Sequence, residues 1–189
     1  MSAPQHLFQQ LSHFKVSDVG VQTHHDIEQF YFLEAELLDT RNFEEWLSLF
    51  SQDVRYWAPV RENRSVRDYA YEIAPPGGAA LFDDDHASLT QRVRRMLSGR
   101  AWTEVPASRT RHLVTNLRAF RVPDRPQDYD VETSICVYRN FGEKNEDWVI
   151  GKRFDRISRT DESGTFNISR RTLVLDMATV LPTNLGLFY

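Results

Sequence analysis

The feature that most constrains this chain is a change of hydrophobic period near residue 108. From there onward come four long β-like stretches, 110–122, 128–140, 147–159 and 165–176. Turn signals separate them, namely Pro123-Asp124, Gly142 and Ser163-Gly164, residues that suit chain reversal by fixing or freeing the backbone. Before residue 108 the apolar residues recur mainly at helical spacing. Helices gathered first and long strands afterwards imply an α+β fold, in which helices cover one face of a long, strongly curved, mostly antiparallel sheet.

The helical half reads in three pieces. Thr23 followed by Asp26 has the form of a capping box, and Ile27, Phe30, Tyr31, Glu34, Leu37 and Leu38 follow at helical spacing, which predicts an amphipathic helix over about 23–39. Asn42 with Glu45 repeats the start signal, and Phe43, Trp46, Leu47 and Phe50 predict a second, short helix. Asp83 to Asp85 supply acids favoured at a helix start, and Leu89, Val93, Met96 and Leu97 give a third helix one apolar face before Gly99 stops it. Between the second and third helices, Val54-Arg55-Tyr56-Trp57-Ala58-Pro59-Val60 is rich in β-formers and ends on a proline, so it reads as an edge or first strand. Residues 61–80, with Pro75-Pro76-Gly77-Gly78, read as a long loop, and a partner contact is one use for it. Residues 1–22 are polar and without a sustained period, an arm that either stays loose or wraps a neighbour; residues 23–189 read as one domain.

Composition narrows the function classes. A chain of 189 residues, 41% hydrophobic, can bury a core as one domain. No stretch approaches the roughly 18 consecutive apolar residues of a membrane span, and residues 1–25 lack the pattern of a signal peptide, so a soluble, cytoplasmic protein is expected. The single cysteine, Cys136, rules out an internal disulfide and a thiolate cluster built from this chain alone. A net charge of −4 and a sequence pI near 5.9 argue against a nucleic-acid partner and for a protein one. Arginines are frequent in the β-like stretches, among them Arg109, Arg111, Arg118, Arg121, Arg153, Arg170 and Arg171. They read either as a solvated sheet face or as a subunit interface, where arginine is enriched.

Several stretches in order resemble a known family: Asp26-Ile27-Glu28-Gln29-Phe30-Tyr31, Glu36-Leu37-Leu38-Asp39, Phe43 to Phe50, Asp53-Val54-Arg55-Tyr56, Ser108 to Asn116, Arg170 to Asp176, and the tail Asn184-Leu185-Gly186-Leu187-Phe188-Tyr189. Together they resemble the small (beta) subunits of aromatic-ring-hydroxylating dioxygenases of the biphenyl, benzene and toluene type. The resemblance implies a cone-shaped fold similar to nuclear transport factor 2, with three helices on a long curved sheet. It also implies a non-catalytic subunit in an assembly of three large and three small subunits, with the small ones forming a trimer. The large partner then holds a Rieske 2Fe-2S cluster and a mononuclear iron, and converts the arene to a cis-dihydrodiol. On this reading Arg109, Arg111, Arg118, Arg153, Arg170, Arg171, Phe188 and Tyr189 are expected in an interface between copies.

The chain's own chemistry is limited. A Rieske cluster takes two cysteines and two histidines, which one cysteine cannot supply. A mononuclear iron site needs two histidines and a carboxylate. The nearest local candidate is Asp83 with His86, where Gln91 stands in place of a following histidine; His24 and His25 are adjacent and point to different faces. No metal site is expected. The rival reading is a stand-alone lyase or isomerase with His112, Asp39, Tyr31, Tyr56 and Asp53 converging inside the cone. Its structural counterpart has Asp39 closing a helix and pairing with an arginine, both tyrosine hydroxyls satisfied, and His112 bonded across the sheet.

Overall fold

The computed structural model describes residues 7–98, 107–143, 145–160, 165–179 and 187–189. The expected helix stop at Gly99, the turn at Ser163-Gly164 and the tail residues Asn184 to Gly186 lie outside the described residues. The first long helix, α2, spans Val21–Asp39 and buries the stripe Ile27, Phe30, Tyr31, Glu34, Leu37 and Leu38. Its start differs from the capping-box reading. Gly20 is the N-cap and offers no side chain, while Asp26 receives Gln22 and Arg159 at 2.7 and 2.9 Å. Asp26 therefore ties the helix to the sheet and does not serve its end. At the other terminus Arg41 takes a left-handed conformation (φ 63°), the Arg41 amide bonds the Leu38 carbonyl, and the Asn42 amide bonds the Leu37 carbonyl. These paired reverse bonds close the helix and turn the chain into α3, Phe43–Ser48. Asn42 stands at the α3 N-cap without a side-chain bond to it, because its amide is held by Thr40 at 3.2 Å. Helix α4, His86–Leu97, is capped as expected by Asp85, which accepts the Ser88 amide at 2.8 Å. A further short helix, α1, covers Leu7–Leu11.

Among the described residues six strands form one sheet: β1 Phe50–Pro59, β2 Ala80–Asp84, β3 Arg109–Val122, β4 Arg125–Phe141, β5 Asn145–Arg159 and β6 Phe166–Leu175. Their order is β2-β1-β6-β5-β4-β3, antiparallel except for the parallel pair β1 and β6. Strand β1 is thus interior to the sheet and not an edge. Pro59 is tolerated because it ends the strand where the register slips beside β2. Residues 61–79 are not all irregular either: Val66–Tyr71 forms a 3-10 helix, and Arg61 bridges Ile73.

Register decides which side chains face the helices. Tyr56, Arg171, Asp155, Val131 and Ala119 are successive partners across β1, β6, β5, β4 and β3, and every one of them is at most 2% exposed. This row and its alternates line the helix-covered interior. The opposite face carries Trp57, Thr172, Phe154, Glu132 and Arg118 in the neighbouring row. Part of that outer face is covered by the segment expected to be loose or wrapped around a neighbour. Leu7, Phe8 and Leu11 pack on Ile73, Phe154 and Val174. Ser17 and Asp18 then satisfy backbone groups of Ala119 and Arg121 on the outermost strand, β3.

Strands β5 and β6 approach closely at Gly151, where a Cβ would stand 2.5 Å from the Val174 carbonyl oxygen. Backbone cannot rotate aside as a side chain can. Gly151→Ala is therefore expected to lower stability by about 1–3 kcal/mol, read as a fall in the urea midpoint; an unchanged midpoint would mean that the two strands separate there without cost.

Candidate functional site

The interior of the cone is charged. Glu34 on α2 receives Arg171 Nη2 at 3.0 Å, Arg153 Nη1 at 3.1 Å and the Trp46 indole at 3.2 Å, with a further contact from Arg171 Nη1. Arg171 also donates to Asp155 from Nε and Nη2, at 3.0 and 2.7 Å, and Asp155 accepts the Tyr31 hydroxyl at 2.9 Å. Arg153 Nε reaches Thr133 at 3.2 Å. Two carboxylates face two guanidinium groups, all of them 2% exposed or less. Burial alone would raise the Glu34 carboxyl, but Arg171 and Arg153 outweigh it and hold its pKa at about 2. Burial lowers the Arg171 pKa less than Asp155 and Glu34 raise it, so it lies above its ordinary value. Burial, with help from the Asp155 charge, pushes the Tyr31 phenol well up.

Of the five residues proposed to converge, two do. His112 Nδ1 lies 2.6 Å from Asp39 Oδ1, and the His112 amide also donates to the carboxylate. The second ring nitrogen, Nε2, lies 3.1 Å from the Phe188 carbonyl oxygen. Both nitrogens face acceptors, so neither is left as a base toward open space. The partners belong to the end of α2 and to the 187–189 segment, not to the facing strand expected from the sequence. Asp39 ends α2 and meets Arg111 at 3.3 Å, as the structural alternative supposed. Burial raises the Asp39 carboxyl, but hydrogen bonds and charge from His112 bring its pKa below the ordinary value. Tyr31 is spent on Asp155, and Tyr56 donates to the Tyr189 carbonyl oxygen at 2.6 Å. Asp53 is exposed on β1 beside Ser51. The cavity beside His112, bordered by Leu38, Phe43, Met96 and Phe188, measures about 60 Å³. An apolar cavity that takes up benzene is nearer to about 150 Å³.

The metal candidates do not assemble. Asp83 forms a bidentate pair with Arg55 at 2.7 and 2.8 Å, and His86 meets Gln52. His24 faces the Leu117 carbonyl and His25 faces Glu28. Among the described residues, no three His, Cys, Asp or Glu side chains gather as a metal-binding group.

The proposed interface set divides in two. Arg153 and Arg171 lie inside the chain with their own carboxylates, and Phe188 and Tyr189, each 1% exposed, are packed into two separate core clusters. They are withdrawn from the interface, because groups already desolvated and paired have no face to offer a neighbour. Arg109, Arg111 and Arg170 are exposed, and Arg118 bridges Glu132 and the His13 carbonyl. Sequence reasoning missed Glu34 and Asp155 as the partners of the buried arginines. A signal existed for Glu34, which occupies an apolar stripe position of α2.

An α+β cone similar to nuclear transport factor 2, with its interior filled by its own ion pairs and aromatic rings, is the class that fold and site define. The chain belongs to the ring hydroxylating beta subunit family, whose model matches residues 33–182. It is 40% identical over 177 residues to the beta subunit of chlorobenzene dioxygenase from Cupriavidus sp. (strain PS12), covering 93% of each. To the beta subunit of biphenyl 2,3-dioxygenase from Rhodococcus jostii it is 37% identical over 175 residues, again covering 93% of each. Among solved structures, naphthalene 1,2-dioxygenase with bound indole superposes with a TM-score of 0.81 at 20% identity, over 97% of this chain and 93% of that one. A putative scytalone dehydratase from Novosphingobium aromaticivorans shares the fold, with a TM-score of 0.56 at 18% identity over 84% and 89% of the two chains.

Glu34→Gln should destabilise the chain at neutral pH by about 3–5 kcal/mol, since it leaves two buried guanidinium groups short of charge. The folded-state pKa of Glu34 is depressed, so its contribution is present above the unfolded value of 4.5 and is lost as pH falls toward about 2. Urea melts from pH 7 to pH 2.5 should show the gap between wild type and variant closing across that window; a constant gap would remove the ion pair as its cause.

Proposed function

We propose that this chain is the non-catalytic structural subunit of the terminal oxygenase of a Rieske non-haem iron dioxygenase acting on aromatic hydrocarbons such as benzene or biphenyl. The observation that carries the reading is the spent interior. His112, Tyr31, Tyr56 and Arg171 all bond groups of this same chain, so none of these four is left as a free acid or base for a substrate. Membership of the beta subunit family and the dioxygenase names of the relatives support the assembly. The Rieske 2Fe-2S cluster and the mononuclear iron are assigned to the large (alpha) subunit, as this chain's one cysteine does not fit such a cluster. There the mononuclear iron would supply dioxygen activation and the Rieske cluster would relay two electrons from an external reductant, so that arene, dioxygen, two electrons and two protons would give the cis-dihydrodiol. This chain's residues hold and orient that partner, in a cytoplasmic assembly of three large and three small subunits.

His112→Ala or Asp39→Asn, built into the assembled enzyme, should reduce yield and thermal stability by roughly 1–3 kcal/mol, the usual cost of an unsatisfied buried polar group. Single-turnover rates in iron-replete assembled enzyme should stay close to wild type. A large loss of that rate would restore His112 to catalysis.

Self-association as a trimer is supported by the uncovered part of the outer face. Arg111, Tyr138 and Trp148 form one cross-strand row, and Leu113, Cys136 and Ile150 form the next. Leu113, Trp148 and Ile150 are 47–49% exposed, and an apolar patch rimmed by arginine suits burial against another subunit. Replacing Arg109 and Arg111 together by Glu should weaken trimerisation by several kcal/mol, while reversal at buried Arg171 would unfold the chain and test nothing. Sedimentation of the small subunit alone measures it; an unchanged oligomer at equal concentration would place the interface elsewhere.

A further inference from the structure

The segment Leu187–Tyr189 is held differently from the strands around it. Among the described residues its backbone forms no ladder with a neighbouring strand, and three successive carbonyl oxygens are instead met by side chains. Arg92 donates to the Leu187 carbonyl at 2.8 Å, His112 Nε2 lies 3.1 Å from that of Phe188, and the Tyr56 hydroxyl and Arg171 Nη1 donate to that of Tyr189 at 2.6 and 3.1 Å. The Tyr189 amide donates back to the Tyr56 hydroxyl at 2.9 Å.

The side chains of the segment fill two recesses, one for Phe188 and one shared by Leu187 and Tyr189. The Phe188 ring lies 4.2 Å from Trp46 and 5.7 Å from Phe43, with the Arg92 guanidinium 4.9 Å from its centre. Leu187 and Tyr189 pack with Ala58, Ile135, Leu173 and Leu175. Dedicated polar groups for consecutive carbonyls, with separate apolar recesses for the side chains, are what a binding cleft presents to an extended peptide.

The donors are also positioned without the segment. Arg92 is paired with Asp84, His112 with Asp39, and Arg171 with Glu34 and Asp155. If the segment left, the Tyr56 hydroxyl would lose both of its partners and His112 Nε2 and Arg92 Nη2 would each lose one, while the carboxylate pairings would stay. The walls come from α3, α4, β1, β3, β4 and β6, so the recess is shaped by elements that do not include its occupant.

We propose that the cone interior is a peptide-binding site for an apolar–aromatic–aromatic segment, filled in cis by Leu187–Tyr189, and that once vacated it binds such a segment in trans. In the intact chain the segment is then an internal competitor that closes the cone to other molecules.

The test uses a chain ending at residue 186 and the N-acetylated tripeptide Leu-Phe-Tyr, followed by thermal melting and titration calorimetry. Intact chain should ignore the peptide. The shortened chain should melt at a lower temperature and recover with increasing peptide, whereas N-acetylated Leu-Ala-Ala should give no recovery. Arg92→Met in the shortened chain should weaken peptide binding by about tenfold, as for loss of a charged hydrogen bond. Should the shortened chain be unfolded, it is refolded with the peptide present, and recovery of the melt supports the proposal equally. A folded shortened chain indifferent to Leu-Phe-Tyr, an unfolded one not rescued by it, or equal rescue by Leu-Ala-Ala would each overturn it.

Discussion

The ion cluster around Arg171 is the constraint on which the rest of the cone depends. A guanidinium group with no solvent exposure is tolerable only if its charge is matched and its donors are occupied. Glu34 and Asp155 do both, and they come from α2 and β5, far apart in sequence. The cluster therefore fixes three elements at once: the rotation of α2 about its axis, the register of β5 against β6, and the closeness of helix to sheet. Trp46 and Tyr31 each spend a donor on the same acids, which ties α3 and the aromatic core to the charges.

The fold is shared with a putative scytalone dehydratase, and in this chain its interior is occupied by the chain's own groups. Where an enzyme of this shape would need an open recess and a free base, this chain places its own Phe188 and Tyr189, and uses His112 to hold them. The interior contributes rigidity, and the open row of apolar side chains lies on the outer face. The outer face is itself divided. The N-terminal segment covers the end near Phe154 and shields the β3 edge at Ala119 and Arg121, which limits unwanted strand pairing. The row containing Leu113, Ile150 and Trp148 stays open.

Much of the fold was legible in the sequence. The stripe from Ile27 to Leu38 is a local period, and the four long strands announce themselves by β-formers and the turns between them, so their presence needed no tertiary knowledge. The details that failed were those in which a distant group competed for a local one. Asp26 looked like a helix cap and is taken by Arg159; the Pro59 strand, read as an edge or first strand, is the first but lies between β2 and β6 and not at an edge. Arg153, Phe188 and Tyr189 looked like interface residues and are core.

What the sequence by itself determined was the three main helices, the first strand and the four long strands after it, the family likeness, and a single cysteine that cannot supply the ligands of an iron-sulfur cluster from this chain alone. What only the tertiary structure decided was which charges go inside. Arg170 and Arg171 are adjacent on one strand and so must point to opposite faces. Nothing local distinguishes them, since each has the same side chain and the same neighbours in kind. The choice falls to Arg171 because the register of β6 sets it opposite Asp155 and beneath Glu34, while Arg170 is left outside near Asp130. Strand parity is a local property, but the face that becomes interior is set by pairing across more than a hundred residues, and only the folded chain brings those partners together.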